Sequence, residues 1–377
     1  MSWFRVRGKK GSDPASGDDA ADSGAEAPET APETAPGTAP ETAPETAPES
    51  AGVDGAEAEN DAPVQRTPPA ELADLFLVME EHLTEVELDD ARVIVDALKQ
   101  PPALIDRISS GLDDPDALKE AITASPTLSA AILRVVNSAA FALRAPISSI
   151  EHAVTYLGTN MVKGLVLQSS VADVMTFSSD VQRAAYMRLW RASYVASAVA
   201  QQYAQTLALE QPSVIATRAL LANIGALALI SQRPDLAQLY APKSTLLTRV
   251  AAEQEAIMAN SALLSALLVR EWGLPDALYD ALRHVLTPLS WPPDRGERSI
   301  EEQRGDVLLY LATRVGDAVA FGGLRDVSRF DVLGQEDPAF FYLPEYLRRC
   351  ELGGLLPALQ EPATAKRIQR LIDTFGD

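Results

Sequence analysis

One cysteine, three histidines and a long stretch without a single basic residue set the first limits on this 377-residue chain. A lone Cys350 excludes an intramolecular disulfide framework and any multi-cysteine zinc site, and it fits a reducing compartment. Only His82, His152 and His284 can offer an imidazole, and they are far apart in the sequence. Lys and Arg are absent between Asp13 and Asp61, a stretch that holds 14 acidic residues. Residues 1–68 carry a net charge of −9 and the remainder −12, so both parts lack the basic surplus that displaces counterions from a nucleic acid. No nucleic-acid partner is expected. There is no Gly-x-Ser-x-Gly elbow, no phosphate-binding glycine loop and no Cys/His nucleophile pair. No alternating strand-like run bounded by turn residues occurs either.

What is present begins with MSWFRVRGKKG, where Arg5, Arg7, Lys9 and Lys10 surround Trp3, Phe4 and Val6. It has no apolar core behind it and so is not a secretory signal; a docking tag and a merely solvated start both fit it. Residues 11–68 are mostly Ala, Pro, Glu, Thr and Ser with almost no large apolar residue, unable to bury enough surface to repay ordering, and residues 1–68 are expected to be a disordered tail. Within it, residues 27–50 are six tandem copies of Ala-Pro-(Glu/Gly)-(Thr/Ser). Proline at every fourth position favours extended conformers of about 3.1 Å per residue, giving a spacer of roughly 70 Å.

From Pro69 helical periodicity takes over, and an all-α bundle is expected. Residues 69–97 read as a helical extension: Ala70–Leu83 aligns Leu72, Leu75, Phe76 and Met79, and Asp89–Leu98 aligns Val93, Ile94, Ala97 and Leu98. Residues 98–290 form the main domain and 291–377 supply helices that pack on it. Long helices are predicted over 160–177, 181–209, 246–272 and 300–321. The most apolar run, Ala219–Ile230 (ALLANIGALALI), reads as a buried central helix, at 12 residues far shorter than the roughly 20 of a membrane span. No transmembrane segment is expected, and the location is expected to be cytoplasmic. Its one strongly polar residue, Asn223, must find partners or cost about 1–3 kcal/mol, so it is either a satisfied core amide or part of a site.

Five segments in order, QPPALIDRI, PTLSAAILRVVNSAAF, SSIEHAVTYLG, LLANIG and EWGLPDAL, resemble the HD-related output domain (HDOD) family of bacterial signalling proteins over about residues 98–290. The resemblance implies a helical domain of the HD superfamily, whose metal-dependent phosphohydrolases gather separated histidines, an adjacent His-Asp pair and a further Asp around a divalent cation that activates water. On that resemblance Ala222 and Asn223 stand at the adjacent pair, and Ala192 and Ser261 stand where two histidines belong. The expectation is a pseudoenzyme without metal or cofactor, acting in regulation by binding a signalling protein. Since no receiver or cyclic-dinucleotide signalling domain accompanies the module, its input is expected from another protein or a small molecule. Two alternatives stay open: a receptor for a cyclic dinucleotide, and an enzyme with a divergent site that uses Asn223, Ser261 and His284 with a metal.

The remaining candidates carry structural and functional readings side by side. Asn137 and Ser138 either cap a helix end or meet a ligand or partner. Arg134 and Arg191, with Arg144, Lys163 and Arg188, either line an anion cleft or form a solvated face. Gly158, Gly225, Trp272, Gly273 and Pro275 belong to the resemblance as structural motif positions, with Trp272 a buried aromatic before a helix stop.

Overall fold

Short oxygen-bearing side chains set where several helices begin, because their oxygens accept backbone N–H groups left without intrahelical partners. The computed structural model describes residues 67–98, 115–137, 145–159, 162, 165–166, 169, 175–209, 212–296 and 298–374. All but the last two residues of the expected amino-terminal tail, the QPPALIDRI segment and Ser138 lie outside these residues, as do Arg144, Lys163 and most of the helix expected over 160–177. Among the described residues all regular structure is helical, with no strand.

The first departure from the sequence reading comes at once. In place of a continuous helix over 70–83 there is one turn, Ala70–Ala73, and a 3-10 turn, Glu80–His82. Between them the backbone runs as a strap, held by side-chain amides: Gln254 accepts from Val78 N (2.9 Å) and donates to Phe76 O (2.8 Å), and Asn260 donates to Val78 O (2.9 Å). These distant partners satisfy the backbone that helix formation would otherwise have served. Leu77 and Met79 enter the core, while Phe76, expected inside, is 57% exposed. In α1 (Asp89–Ala97) the buried face is Ala91, Ile94 and Val95, with Val93 turned to solvent.

Helices α2 (Pro115–Thr123), α3 (Pro126–Val136) and α4 (Ile150–Leu157) pack mutually around Leu118, Ile122, Ile132 and Val154, with Tyr194 and Leu220 completing that cluster. Ser125 and Ser149 cap α3 and α4, and Gly158 at φ +79° ends α4 in a conformation that side chains resist. Asn137 closes α3, though not through the left-handed backbone that its type suggests: its φ is −83°. Its side chain does the work, the amide nitrogen donating to Leu133 O (2.8 Å) and Ile147 O (2.6 Å) and the oxygen accepting from Ile147 N (2.7 Å). Asn137→Ala strands the Ile147 backbone, and we expect it to cost about 2 kcal/mol; a shift in the urea midpoint corresponding to less than about 0.5 kcal/mol would contradict this clamp.

The 27-residue α5 (Asp180–Thr206) starts in a capping box between Ser179 and Gln182 and runs through the middle of the molecule. Beside it the apolar run is not one helix but two, α6 (Pro212–Leu221) and α7 (Ile224–Gln232), parted at Ala222–Asn223. The apolar stretch also extends beyond twelve residues. Val214–Gln232 is long and apolar enough to cross a membrane by composition, yet 72% of its most apolar window is buried inside the protein. The predicted 246–272 helix is likewise two, α8 (Leu246–Ile257) and α9 (Ser261–Glu271), separated where Met258 adopts φ +53° and Asn260 caps α9. Trp272 is buried, Gly273 at φ +64° stops α9, and Pro275 stands at the start of α10 (Asp276–Arg283). Helix α11 (Ile300–Ala320) lies along α5, and α12 (Leu343–Arg349) and α13 (Pro362–Thr374) join the same core.

Two glycines permit the closest helix approaches. A Cβ on Gly225 would sit inside contact distance of the Ser261 carbonyl oxygen and the Ser265 amide nitrogen, and one on Gly316 would strike the Ala192 carbonyl oxygen. Those two contacts bring α7 against α9 and α11 against α5.

Candidate functional site

The break between α6 and α7 is a polar seam in an apolar setting. Ser265, fully buried on α9, accepts from Gly225 N (2.8 Å), and its single proton lies between the carbonyl oxygens of Ala222 (3.0 Å) and Ser261 (2.8 Å). The Asn223 side chain does not cap α7; its amide nitrogen donates to Ser193 Oγ on α5 (3.1 Å). A hydroxyl in a Leu- and Ala-rich helix thus serves the backbone opened by the break.

Two further networks border this seam. Glu253 is 1% exposed and accepts from Tyr240 Oη (2.8 Å) and from the Ser261 N–H at the start of α9 (2.7 Å). Burial raises the Glu253 carboxyl pKa above its ordinary range, with the Ser261 N–H opposing. Across the cavity, Asp317 on α11 is bound by two guanidinium groups, those of Arg249 and of Arg314, the latter at 3.0 Å. All three side chains are nearly buried. Arg249 also donates to Ser244 O (2.9 Å) and lies 4.2 Å over the Phe321 ring.

Between these networks remains a cavity of about 30 Å³, whose lining includes Ala222, Asn223, Ser261, Arg249, Arg314 and Asp317. That is room for about two waters, at roughly 10–15 Å³ each. Among the described residues no group of three His, Cys, Asp or Glu side chains converges to hold a metal ion.

His284 lies elsewhere. It follows α10, is 6% exposed, and lines a separate cavity rather than the one beside Asn223 and Ser261. The next two residues, Val285 and Leu286, line the cavity beside Asn223 and Ser261. Burial, and after it the charge of Arg298, lowers the His284 pKa, and Arg298 Nη1 stands 3.0 Å from its Nδ1. Arg298 also forks onto Asp306 (2.6 and 3.1 Å) and Asp280 (3.1 and 3.3 Å).

Burial pushes the Asp306 carboxyl up to about 7 against the pull of Arg298, while Asp280, whose own burial penalty is outweighed by Arg298, lies below its usual value. A carboxyl whose folded pKa is raised adds stability that is full below its unfolded value and is lost as pH rises towards the folded one. Asp306 therefore weakens the fold between about pH 4 and 7, by up to about 1.4 kcal/mol for each pH unit. Asp280 and His284 act in the opposite sense, so the wild-type chain is compared with Asp306→Asn. We expect its stability relative to that variant to be higher at pH 5 than at pH 7.5; urea unfolding showing no difference between the two would mean that Asp306 is ionised throughout.

Of the other candidates, Arg188 donates to Tyr240 O (2.7 Å) and Arg191 reaches Ile372 O (3.5 Å), so backbone carbonyls engage both. Arg134 is exposed in the last turn of α3. Asn137 spends both amide protons and one lone pair inside the fold. The networks that matter here, Ser265 and the pairs Arg249–Asp317 and Tyr240–Glu253, were not singled out by sequence reasoning. The available signals were Ser265 four residues after Ser261 in an otherwise apolar helix, and Arg249 with Glu253 at i,i+4.

The HDOD domain model matches residues 98–288. An HDOD domain protein of unknown function from Geobacter sulfurreducens shares the fold, with a TM-score of 0.55 at 17% identity over 77% of this chain and 98% of that one. A Shewanella amazonensis protein described as a candidate phosphohydrolase aligns with a TM-score of 0.50 at 20% identity, over 76% of this chain and 98% of its own. A Marinobacter aquaeolei protein described as a candidate signal transduction protein aligns at 18% identity over 79% and 68% of the two chains, with a TM-score of 0.48. Among curated proteins none matches the chain.

Proposed function

Because the chain belongs to the HDOD-domain family, we propose that it is a non-catalytic regulatory module of bacterial signalling that acts by binding a protein partner or a small-molecule signal. The observation that carries this reading is the chemistry lining the small cavity at Ala222–Asn223. Ala222 offers no side-chain donor atom, and Asn223, whose amide nitrogen donates to Ser193, could offer only an uncharged oxygen. The one carboxylate in the lining, Asp317, is neutralised by Arg249 and Arg314. A divalent cation would meet two positive charges and only one anionic oxygen donor group, the opposite of a metal site's demand. Nor does about 30 Å³ leave room for a metal, its water and a phosphate group together. The residues present do not suit a phosphohydrolase metal.

In this reading the acidic, proline-punctuated segment ahead of Pro69 tethers or spaces the module, and the polar seam is a structural fastening between α5, α7, α9 and α11. With Mn²⁺ or Mg²⁺ and bis(p-nitrophenyl) phosphate, the purified chain should release nitrophenolate no faster than metal in buffer. A metal-dependent rate that co-elutes with the protein through gel filtration would overturn the reading.

A further inference from the structure

The strap over residues 76–79 is an extended peptide seated where α8 gives way to α9. Among the described residues, no backbone–backbone hydrogen bond ties it to any part of the domain beyond the 3-10 turn that follows it. Its Phe76 O, Val78 N and Val78 O are met instead by side-chain amides. Gln254 takes the first two, Nε2 donating (2.8 Å) and Oε1 accepting (2.9 Å), as a neighbouring β-strand would. Asn260 takes the third (2.9 Å) and donates also to Gln254 Oε1 (3.1 Å), while its oxygen caps α9 by accepting from Leu263 N (3.0 Å). Asn260 is 2% exposed, so this amide edge is built into the fold.

The strap's side chains alternate as those of a strand do. Leu77 and Met79 are 1% and 3% exposed and join the core cluster that holds Val250, Ala262 and Leu286, whereas Phe76 faces solvent. Two carboxylates follow directly and meet two guanidinium groups. Glu80 is forked by Arg270 (2.7 and 3.0 Å) and accepts from Tyr279 Oη, and Glu81 lies 3.5 Å from Arg283. Peptide recognition by strand addition has this form: main-chain bonds hold an extended segment, and pockets at alternate positions select its sequence. Here a pair of amides takes the place of the sheet edge, and the arginines of α9 and α10 add a demand for acid.

We propose that this groove of α8, α9 and α10 is a docking site for an extended segment of a partner protein, apolar at two alternate positions and then doubly acidic, and that the strap is its resident, displaceable occupant. The proposal rests on the reading that the module acts by binding a protein, and it gives that partner a place and a chemistry. A tethered occupant counts as roughly millimolar ligand, so an outside segment of equal affinity competes only near that concentration unless the strap is weakened. Val78→Pro weakens it, because proline offers Gln254 no N–H and leaves Leu77 and Met79 in place.

The probe is a fluorescent synthetic peptide of residues 70–85, titrated into the full chain. The Val78→Pro chain should bind it at least ten times more tightly than the wild type. Adding Gln254→Ala to that chain should weaken binding at least tenfold, and so should Glu80→Lys with Glu81→Lys in the peptide. A second measurement needs no substitution: unlabelled peptide at about 1 mM should speed hydrogen exchange at the Val78 amide of the wild-type chain at least threefold. No binding by either chain, equal binding by both, binding indifferent to Gln254→Ala, or a wild-type complex with unchanged Val78 exchange would each overturn the proposal. A wild-type chain that dimerises in gel filtration and loses the dimer on Gln254→Ala would put a second copy in the groove and overturn the choice of occupant. None of these outcomes bears on metal or hydrolysis, so the non-catalytic reading stands or falls separately on its own measurements.

Discussion

Asp317→Ala should destabilise the protein by about 3–5 kcal/mol, the cost of leaving buried guanidinium groups without their counter-charge. Arg249 and Arg314 converge on this one carboxylate, and both are nearly buried, so neither can turn to water without opening the junction of α8 and α11. Arg249 is further pinned over Phe321 and by the Ser244 carbonyl. Asp317→Asn keeps the shape and one acceptor oxygen but removes the charge, and it should fall between wild type and alanine. Urea unfolding at neutral pH reads both. A loss below about 1 kcal/mol for Asp317→Ala would place the cluster among ordinary solvent-screened ion pairs and remove its structural role.

Gly225→Ala should cost about 3 kcal/mol or prevent folding, although it adds one methyl group to an α-helix and alanine is the better helix former. The reason is the facing backbone: the new Cβ would overlap the Ser261 carbonyl oxygen and the Ser265 nitrogen, neither of which can move aside as a flexible side chain could. Separation of α7 from α9 would also pull Ser265 from the Ala222 carbonyl and the Gly225 N–H. Gly305→Ala serves as the control, because a Cβ there meets nothing within 4 Å on a helix of the same protein. Thermal unfolding should show a slightly raised midpoint for Gly305→Ala and a large loss for Gly225→Ala; equal effects of the two would contradict the close approach.

The helical class and the order of the main elements are legible because local signals repeat without conflict. The helix expected over 181–209 appears as Asp180–Thr206, and Ser179 and Gln182 announce its start as a capping box. The helix expected over 300–321 appears as Ile300–Ala320 behind Ser299 and Glu302 for the same reason. The breaks were not legible. Asn223 and Met258 interrupt runs whose apolar periodicity continues on both sides, and the partners that make each break tolerable lie on other helices. Ser265 reaches Ala222 across 43 positions of sequence, and Asn223 reaches Ser193 across 30. The strap over 76–78 fails the helical reading similarly, since Gln254 and Asn260 satisfy its backbone from more than 170 positions away.

The candidate site shows the same division. The resemblance picked out Ala192, Ala222, Asn223 and Ser261; the last three line one cavity, and Ala192 lies against Gly316. What fills the place between them could not be read along the chain. Arg249, Glu253, Arg314 and Asp317 look like an ordinary charged face at helical spacing, and only packing turns that face inward. His284 drew notice as a rare imidazole, and its partners are Asp280 and Arg298.

The central claim is that guanidinium groups and packed side chains stand where a catalytic relative would hold a metal. Equilibrium dialysis of the full chain against Mn²⁺ at neutral pH, with the bound metal counted per protein, tests it most directly. The account predicts far less than one equivalent, unchanged in Asn223→Ala. One tightly held equivalent, reduced by that substitution, would contradict it.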